Sequence, residues 1–180
     1  MSSDHDLFLS YRRADGAAVE PLLAALAARG IRVWVDRNEV EDLAGIQHAV
    51  DAGLGRARAL LAWYSARYND SRACQWERTS AYVAAQAHGN PRRRILVINP
   101  EADAAHIHLP ELFDQLHLSS AGEPAAVEAL ADRIQAALQA VPATPFGALH
   151  ALTPPRWLPA MGTGSIRFVG RLREMWQLHG

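Results

Sequence analysis

Short apolar runs alternate with segments of helical periodicity along most of this chain. The apolar runs cover residues 6–10, 31–35, 59–63, 95–98 and 116–118. The helical segments cover 15–30, 46–54, 71–88 and 124–138, and Asp15, Ser71 and Pro124 are suited to their first turns. Strands that are apolar throughout and alternate with helices predict an α/β fold, in which helices cover both faces of a five-stranded parallel sheet.

Polar side chains follow several of the predicted strands. They stand at 10–13, at Asp36, at 64–65 and at 99–100, and the helical segment 71–88 begins just beyond the third of these positions. Parallel α/β sheets bind their ligands at the carboxyl ends of the strands. The sequence therefore predicts a ligand site at this edge.

Composition excludes several classes of function. The formal net charge of −1 gives no reason to expect nucleic acid or an anionic membrane as partner. All 18 basic residues are arginine, a bias typical of a GC-rich bacterial genome, and a Walker A phosphate loop cannot form without lysine. Cys74 is the single cysteine, so neither a disulfide framework nor a thiolate zinc site is expected.

The first residues are polar, unlike a signal peptide. The longest apolar run, 57–64, is interrupted by Arg58 and is too short to span a bilayer. We therefore expect a cytoplasmic protein. Its 180 residues suit one ordinary globular domain and a short extension.

Three motifs occur in a fixed order between residues 5 and 140. Residues 8–15 read F-L-S-Y-R-R-A-D, and residues 33–36 read V-W-V-D. Residues 64–68 read Y-S-A-R-Y and are followed by Ser71, Cys74 and Glu77. In this order the chain resembles the TIR (Toll/interleukin-1 receptor) domain family: its first box, the strand entering its second box, and a segment common in bacterial members.

The resemblance implies a flavodoxin-like fold with a five-stranded parallel sheet. It also implies one of two activities. Some members only assemble with other TIR domains, whereas others cleave NAD at the nicotinamide–ribose bond. We expect an NAD-cleaving effector of a bacterial immune (antiphage defence) protein, active when self-associated through TIR–TIR contacts, and the alternative is a non-catalytic scaffold. NAD would be the substrate, with no other cofactor and no metal.

In the enzymatic members a glutamate on the third helix is catalytic, and the matched position in this chain is Glu77. Loss of nicotinamide, a cationic leaving group, produces an oxocarbenium-like ribosyl species, which one adjacent carboxylate can stabilise. The product, ADP-ribose or a cyclic isomer, does not follow from the sequence. The alternative is a solvated surface glutamate, as most glutamates are.

The end of the first predicted strand supplies four further candidates for substrate binding: Ser10, Tyr11, Arg12 and Arg13. An arginine here can pair with the pyrophosphate of a dinucleotide. One of the two arginines is more simply a solvated surface residue. Ser10 can contact the ligand or cap the turn that follows.

The second box and the third helix complete the candidate substrate-binding set. By the resemblance, Asp36 and Glu41 match acidic positions that line the pocket, although Asp36 can equally cap its loop. Trp76, next in the chain to the candidate catalytic glutamate, can supply an aromatic contact. The chain departs from the family pattern at Ala73, where a tryptophan is usual, and at Leu43, where a glycine is usual.

Three other groups of residues give weaker indications. His106 and His108 lack a third metal ligand at a suitable spacing. The run Arg92–Arg94 precedes a strand and is predicted to be solvated. Cys74 is predicted to be a packed thiol rather than a nucleophile, because no histidine is placed by the sequence to activate it.

The composition changes after residue 140. Residues 1–140 are predicted to form the TIR domain, and the proline- and glycine-rich residues 141–165 a linker. Residues 167–174, R-F-V-G-R-L-R-E, resemble the segment that opens STAND-type (NLR-like) NTPase modules, although a chance amphipathic helix is the alternative. By the resemblance, 166–180 would begin such a module, and the full-length protein would carry NTPase and sensor domains downstream.

Overall fold

A computed structural model describes residues 4–35, 53–87, 89, 91–107, 116–117 and 123–147. The chain divides into two compact units, 1–149 and 150–180, and all described residues belong to the first. Most of the predicted helix 46–54 lies outside the described residues, as do 166–180.

The predicted α/β fold with a parallel sheet is confirmed. The strands are β1 (His5–Tyr11), β2 (Val33–Val35), β3 (Ala57–Trp63), β4 (Ile95–Asn99) and the two-residue β5 (Leu116–His117). They lie in the order β2-β1-β3-β4-β5, and every neighbouring pair is parallel. This order is that of flavodoxin-like sheets, which carry their ligands at the carboxyl edge near the point where the strand order reverses, here beside β1 and β3.

Within the described residues, three helices pack on the sheet: α1 (Gly16–Ala28), α2 (Arg72–Ala87) and α3 (Pro124–Gln139). Ser71 caps α2 as predicted, because its hydroxyl accepts a hydrogen bond from the Cys74 N–H at 3.3 Å. Asp15 precedes α1 but makes no side-chain cap, since its carboxylate binds Ser65 instead. Gly30 ends α1 at a φ of 72°, a conformation that glycine adopts without strain.

Different helices cover the two faces of the sheet. In β1, Leu7 and Leu9 pack with α1 and α3, whereas Phe8 packs with α2 on the opposite face. Successive side chains of a strand point to opposite faces. Ser10, two residues beyond Phe8, therefore faces α2, and Tyr11 faces α1 and α3.

Residues 141–147, predicted as the start of a linker, pack against the domain. The N–H of Phe146 donates to the carbonyl of Ala57 at 2.9 Å, and the N–H of Gly147 donates to that of Gly55 at 2.9 Å. Phe146 is only 2% exposed. These contacts lie at the amino end of β3, at the opposite edge of the sheet from the predicted ligand site. We call residues 141–147 the C-terminal strap.

One arginine of the run 92–94 holds the strap. Arg92 and Arg93 are exposed, but Arg94 is only 3% exposed, so the prediction of a solvated triplet is wrong for Arg94. Its guanidinium donates to the Thr144 carbonyl and hydroxyl, both at 2.9 Å, and to the Arg58 carbonyl at 3.1 Å. It also lies over the Phe146 ring, 5.4 Å from its centroid. A buried cation is tolerated here because carbonyl oxygens replace its water.

Candidate active site

Helix α2 carries Glu77 against the sheet. The buried residues of α2 recur at helical spacing: Cys74, Glu77, Ala81, Ala84 and Ala85. Glu77 thus lies on the otherwise apolar inner face of the helix and is 6% exposed. The alternative of a solvated surface glutamate is wrong. A carboxylate in such a place requires hydrogen-bond donors to replace water.

Ser10 supplies one of these donors. Its hydroxyl, at the carboxyl end of β1, donates to Oε2 of Glu77 at 2.5 Å. Ser10 is 1% exposed, and it faces α2 because it alternates with the core residues of β1. The serine predicted as a substrate contact or a turn cap therefore binds the candidate catalytic carboxylate.

Tyr68 adds a second hydroxyl to this group. It lies in a short 3₁₀ helix, Tyr68–Asp70, between β3 and α2, and is fully buried. Its hydroxyl oxygen is 2.6 Å from that of Ser10 and 3.2 Å from the carbonyl oxygen of Cys74. Its ring stacks on Tyr64 with the centroids 4.7 Å apart. Burial raises the pKa of Tyr68 well above its ordinary value, and the nearby Cys74 and Glu77 raise it further, so the phenol stays protonated.

Sequence reasoning did not single out Tyr68 as a site residue. The available signal was its fixed place in the third motif, nine positions before Glu77. A tyrosine in a turn has many possible orientations. The stacking on Tyr64, which follows from the packing of the 3₁₀ helix against β3, decides where its hydroxyl lies.

The remaining first-box candidates lie elsewhere. The half-buried ring of Tyr11 packs beside the α1–α3 core, on the face opposite Ser10. Arg12 is half-buried, and Arg13 is exposed at the start of the short 3₁₀ helix Arg13–Asp15. The structure thus brings Ser10 to Glu77 but not Tyr11, and substrate binding by Tyr11, Arg12 and Arg13 stays a prediction.

Trp76 is 40% exposed on the outer side of α2. Adjacent helical residues differ in direction by about 100°, so burial of Glu77 leaves Trp76 turned toward solvent. Ala73, at the position of the usual tryptophan, is half-buried. Asp36 and Glu41 lie outside the described residues, and their predicted role is not tested.

Side-chain contacts fix the loops around the carboxyl edge. The Ser65 hydroxyl donates to the Asp15 carboxylate at 2.6 Å and so ties the end of β3 to the turn after β1. The N–H of Ala66 donates to the Glu101 carboxylate at 2.8 Å. Asn99, buried at the end of β4, donates to the Asp103 carbonyl at 2.8 Å. The first two bonds connect the loops that follow β1, β3 and β4, and the third closes the turn after β4.

His106 and Cys74 are held by packing and hydrogen bonds inside the domain. His106 stacks on Tyr64 and its Nε2 is 2.9 Å from the Tyr64 carbonyl oxygen. Within the described residues, no group of three His, Cys, Asp or Glu side chains could hold a metal ion. Burial raises the pKa of Cys74 to about 11, with a smaller contribution from Glu77, which keeps it a thiol as predicted.

A family model described as TIR domain matches residues 7–134. The chain belongs to the TIR domain family. No curated protein matches it. Among solved structures it is similar to the TIR domains in the "Structure of the activated Roq1 resistosome directly recognizing the pathogen effector XopQ". That match has 19% sequence identity and a TM-score of 0.48, and it covers 72% of this chain and 84% of the other.

The matched span includes the described strands and helices except the first two residues of β1 and the end of α3. It also includes Ser10, Tyr68 and Glu77, which come from β1, a connecting turn and α2. None of the described helices is long and apolar enough to cross a membrane. Glu77 is thus a buried carboxylate held by a hydrogen bond at the carboxyl edge of the sheet, and an oriented carboxylate is able to stabilise positive charge on a bound molecule.

Proposed function

We propose that this TIR domain cleaves NAD at the nicotinamide–ribose bond when copies of it associate. The observation that carries the proposal is Glu77: a carboxylate 6% exposed, at the carboxyl edge of the parallel sheet, with Ser10 donating to it at 2.5 Å. A buried and oriented carboxylate is costly for a fold to keep, and such groups are typical of functional sites. NAD is the substrate, and no further cofactor is needed.

The reaction requires few groups from the protein. The bond between ribose C1′ and the nicotinamide nitrogen breaks, and its electron pair leaves with the nitrogen as neutral nicotinamide. Positive charge then develops on C1′ and the ring oxygen, where the Glu77 carboxylate stabilises it. Water adds to C1′ and loses a proton to give ADP-ribose. Attack by an adenine nitrogen of the same molecule instead gives a cyclic isomer.

Release of nicotinamide from NAD tests the proposal, with the domain concentrated or fused to an oligomer-forming tag. We expect Glu77→Gln to lower the rate by about 100-fold or more, since one preorganised group facing developing charge contributes that much. Glu20→Gln, which changes an exposed glutamate of α1, is the matched control and should leave the rate unchanged. Equal rates for wild type and Glu77→Gln would refute the catalytic assignment.

We further propose that the domain is the effector of a bacterial immune protein that acts in the cytoplasm against phage. STAND-type NTPase and sensor modules downstream would bring copies together. Expression in bacteria tests this role: phage infection should deplete cellular NAD in cells carrying the full-length protein but not its Glu77→Gln variant. Unchanged NAD in both strains would contradict it.

A non-catalytic scaffold is the second candidate, and Trp76 favours it. This side chain is the one large apolar group that is exposed among the described residues, at 40%. An exposed tryptophan suits a protein contact. If clustered domain leaves NAD intact while Trp76→Gln lowers its self-association in light scattering, the scaffold is the better description.

A further inference from the structure

Two hydroxyl groups, those of Ser10 and Tyr68, form a chain of hydrogen bonds that ends on Glu77. The oxygens are 2.6 Å apart between Tyr68 and Ser10, and 2.5 Å apart between Ser10 and Glu77. Both hydroxyls are buried, Ser10 at 1% and Tyr68 at 0% exposure. Each comes from an element other than α2, so the carboxylate is held from outside its own helix.

Counting protons gives the chain a direction. A serine hydroxyl has one proton, and Ser10 donates it to the carboxylate. The proton between Ser10 and Tyr68 must therefore come from the phenol. Burial raises the pKa of that phenol, and the phenol therefore stays protonated. The chain thus runs from Tyr68 through Ser10 to Glu77, and the longer contact of 3.2 Å to the Cys74 carbonyl is a weaker second acceptor for the phenol.

Such a chain of hydrogen bonds strengthens the last one, from Ser10 to Glu77. A hydroxyl that accepts a hydrogen bond becomes a better donor, and the effect is larger where water is excluded. The Tyr68 ring is fixed by its stacking on Tyr64 at 4.7 Å, so the first donor of the chain has little freedom to move. The last acceptor is thereby held in one orientation, which is what a carboxylate needs to face a ribose carbon.

We propose that Ser10 and Tyr68 are positioning residues, a two-hydroxyl relay that orients the Glu77 carboxylate and acts on it in series. The proposal rests on the proposed NAD cleavage for its catalytic meaning. In this arrangement neither the Ser10 hydroxyl nor the Tyr68 hydroxyl contacts the substrate. The relay also revises the predicted role of Ser10, from contacting the ligand or capping the turn to holding the Glu77 carboxylate.

The test is a double-mutant cycle in the clustered full chain. We expect Ser10→Ala to lower kcat roughly 10- to 100-fold and Tyr68→Phe roughly 3- to 10-fold, as for the loss of hydrogen bonds at a charged group. KM for NAD should change less than about three-fold in both, because the relay does not bind the ground state. Because Tyr68 acts on Glu77 only through Ser10, Tyr68→Phe should have no further effect on kcat when Ser10 is already alanine.

A serine and a tyrosine outside the relay offer matched controls. Ser65 is likewise a buried serine of the same edge, but its hydroxyl donates to Asp15. Tyr64 is the stacking partner of Tyr68, and its hydroxyl binds Asn69 and Arg78 instead of Ser10. Ser65→Ala and Tyr64→Phe should keep kcat near that of the wild type. If they lower kcat as much as the relay variants do, or if the two relay effects multiply independently, the relay is refuted.

A spectroscopic measurement separates this proposal from the proposed function. With ¹³C-labelled glutamate, the Glu77 side-chain carboxyl resonance is assigned by its loss in Glu77→Gln. We expect Ser10→Ala to shift it, and Tyr68→Phe to shift it only while Ser10 is present. This pattern in a protein that leaves NAD intact would refute the NAD cleavage and retain the relay. A resonance that neither variant shifts would refute the relay whatever the activity.

Discussion

Loss of the Arg94 side chain should loosen the C-terminal strap and destabilise the domain. Arg94 is 3% exposed and makes three hydrogen bonds, two to Thr144 and one to the Arg58 carbonyl. Arg94→Ala removes all three donors together with the contact over the Phe146 ring. The carbonyls of Arg58 and Thr144 then lose a buried donor.

The magnitude follows from the kind of bond lost. A hydrogen bond from a charged donor contributes about 1.5–3 kcal/mol, but three bonds of one side chain do not add, and water can reach part of the strap once it loosens. We therefore expect Arg94→Ala to lower the free energy of unfolding by roughly 2–4 kcal/mol. Thr144→Ala, which removes only the hydroxyl acceptor at 2.9 Å, should cost about 1 kcal/mol.

Urea unfolding followed by circular dichroism measures the effect. Arg94→Ala should lower the midpoint with little change of slope, since the same surface is exposed on unfolding. Arg94→Met keeps most of the apolar stem and loses the donors, so it separates packing from hydrogen bonding. Arg93→Ala, at the exposed neighbouring position, is the matched control and should stay within about 0.5 kcal/mol of the wild type.

Two results would refute this reasoning. Equal stability of Arg94→Ala and Arg93→Ala would mean that the strap does not depend on the buried guanidinium. Equal stability of Arg94→Met and wild type would mean that only the stem contributes and that the carbonyl contacts have no net effect.

Two further outcomes follow from the titrating groups. Burial by itself would raise the pKa of Asp6, but hydrogen bonds from Arg32 and Arg58 outweigh burial and hold the pKa below its ordinary value of 3.8. The ionised Asp6 therefore stabilises the fold above that pH. This contribution is lost as the pH falls through the folded pKa of Asp6. Asp6→Asn should therefore cost about 1 kcal/mol at pH 7 in urea unfolding. This difference should shrink as the pH falls below the ordinary pKa of an aspartate and through the lower folded pKa of Asp6, and a constant difference would contradict it. Cys74, with a pKa of about 11 and 2% exposure, should react with iodoacetamide at pH 8 only after denaturant is added, and rapid labelling of the folded domain, followed by mass spectrometry, would contradict its burial.

Local signals were sufficient for the framework of this protein. Apolar runs of strand length, separated by helical periodicity, predicted a parallel sheet, because only strands covered on both faces can be apolar throughout. Ser71 was recognisable as a cap, since capping depends on a few neighbouring residues. The order of three motifs also identified the family and selected Glu77 among the glutamates.

Contacts between distant segments could not be predicted in this way. Arg94 is one of three consecutive arginines, and nothing in that run distinguishes the buried one from the two exposed ones. Its burial depends on Thr144 and Phe146, about fifty positions later in the chain. Proline-rich composition likewise indicated a linker from 141, whereas the strap is held by bonds to β3 and Arg94 that no local pattern encodes.

The sequence by itself determined the α/β class and the choice of Glu77 as the candidate carboxylate, because periodicity and motif spacing are properties of the chain. Only the tertiary structure decided that Glu77 is buried and that two hydroxyls reach it. Ser10 and Tyr68 stand 67 and 9 positions away from Glu77 along the chain, yet all three oxygen-bearing groups meet at one end of the sheet. Parallel strands connected through helices bring their carboxyl ends together, and side-chain packing then sets the angle at which each hydroxyl points.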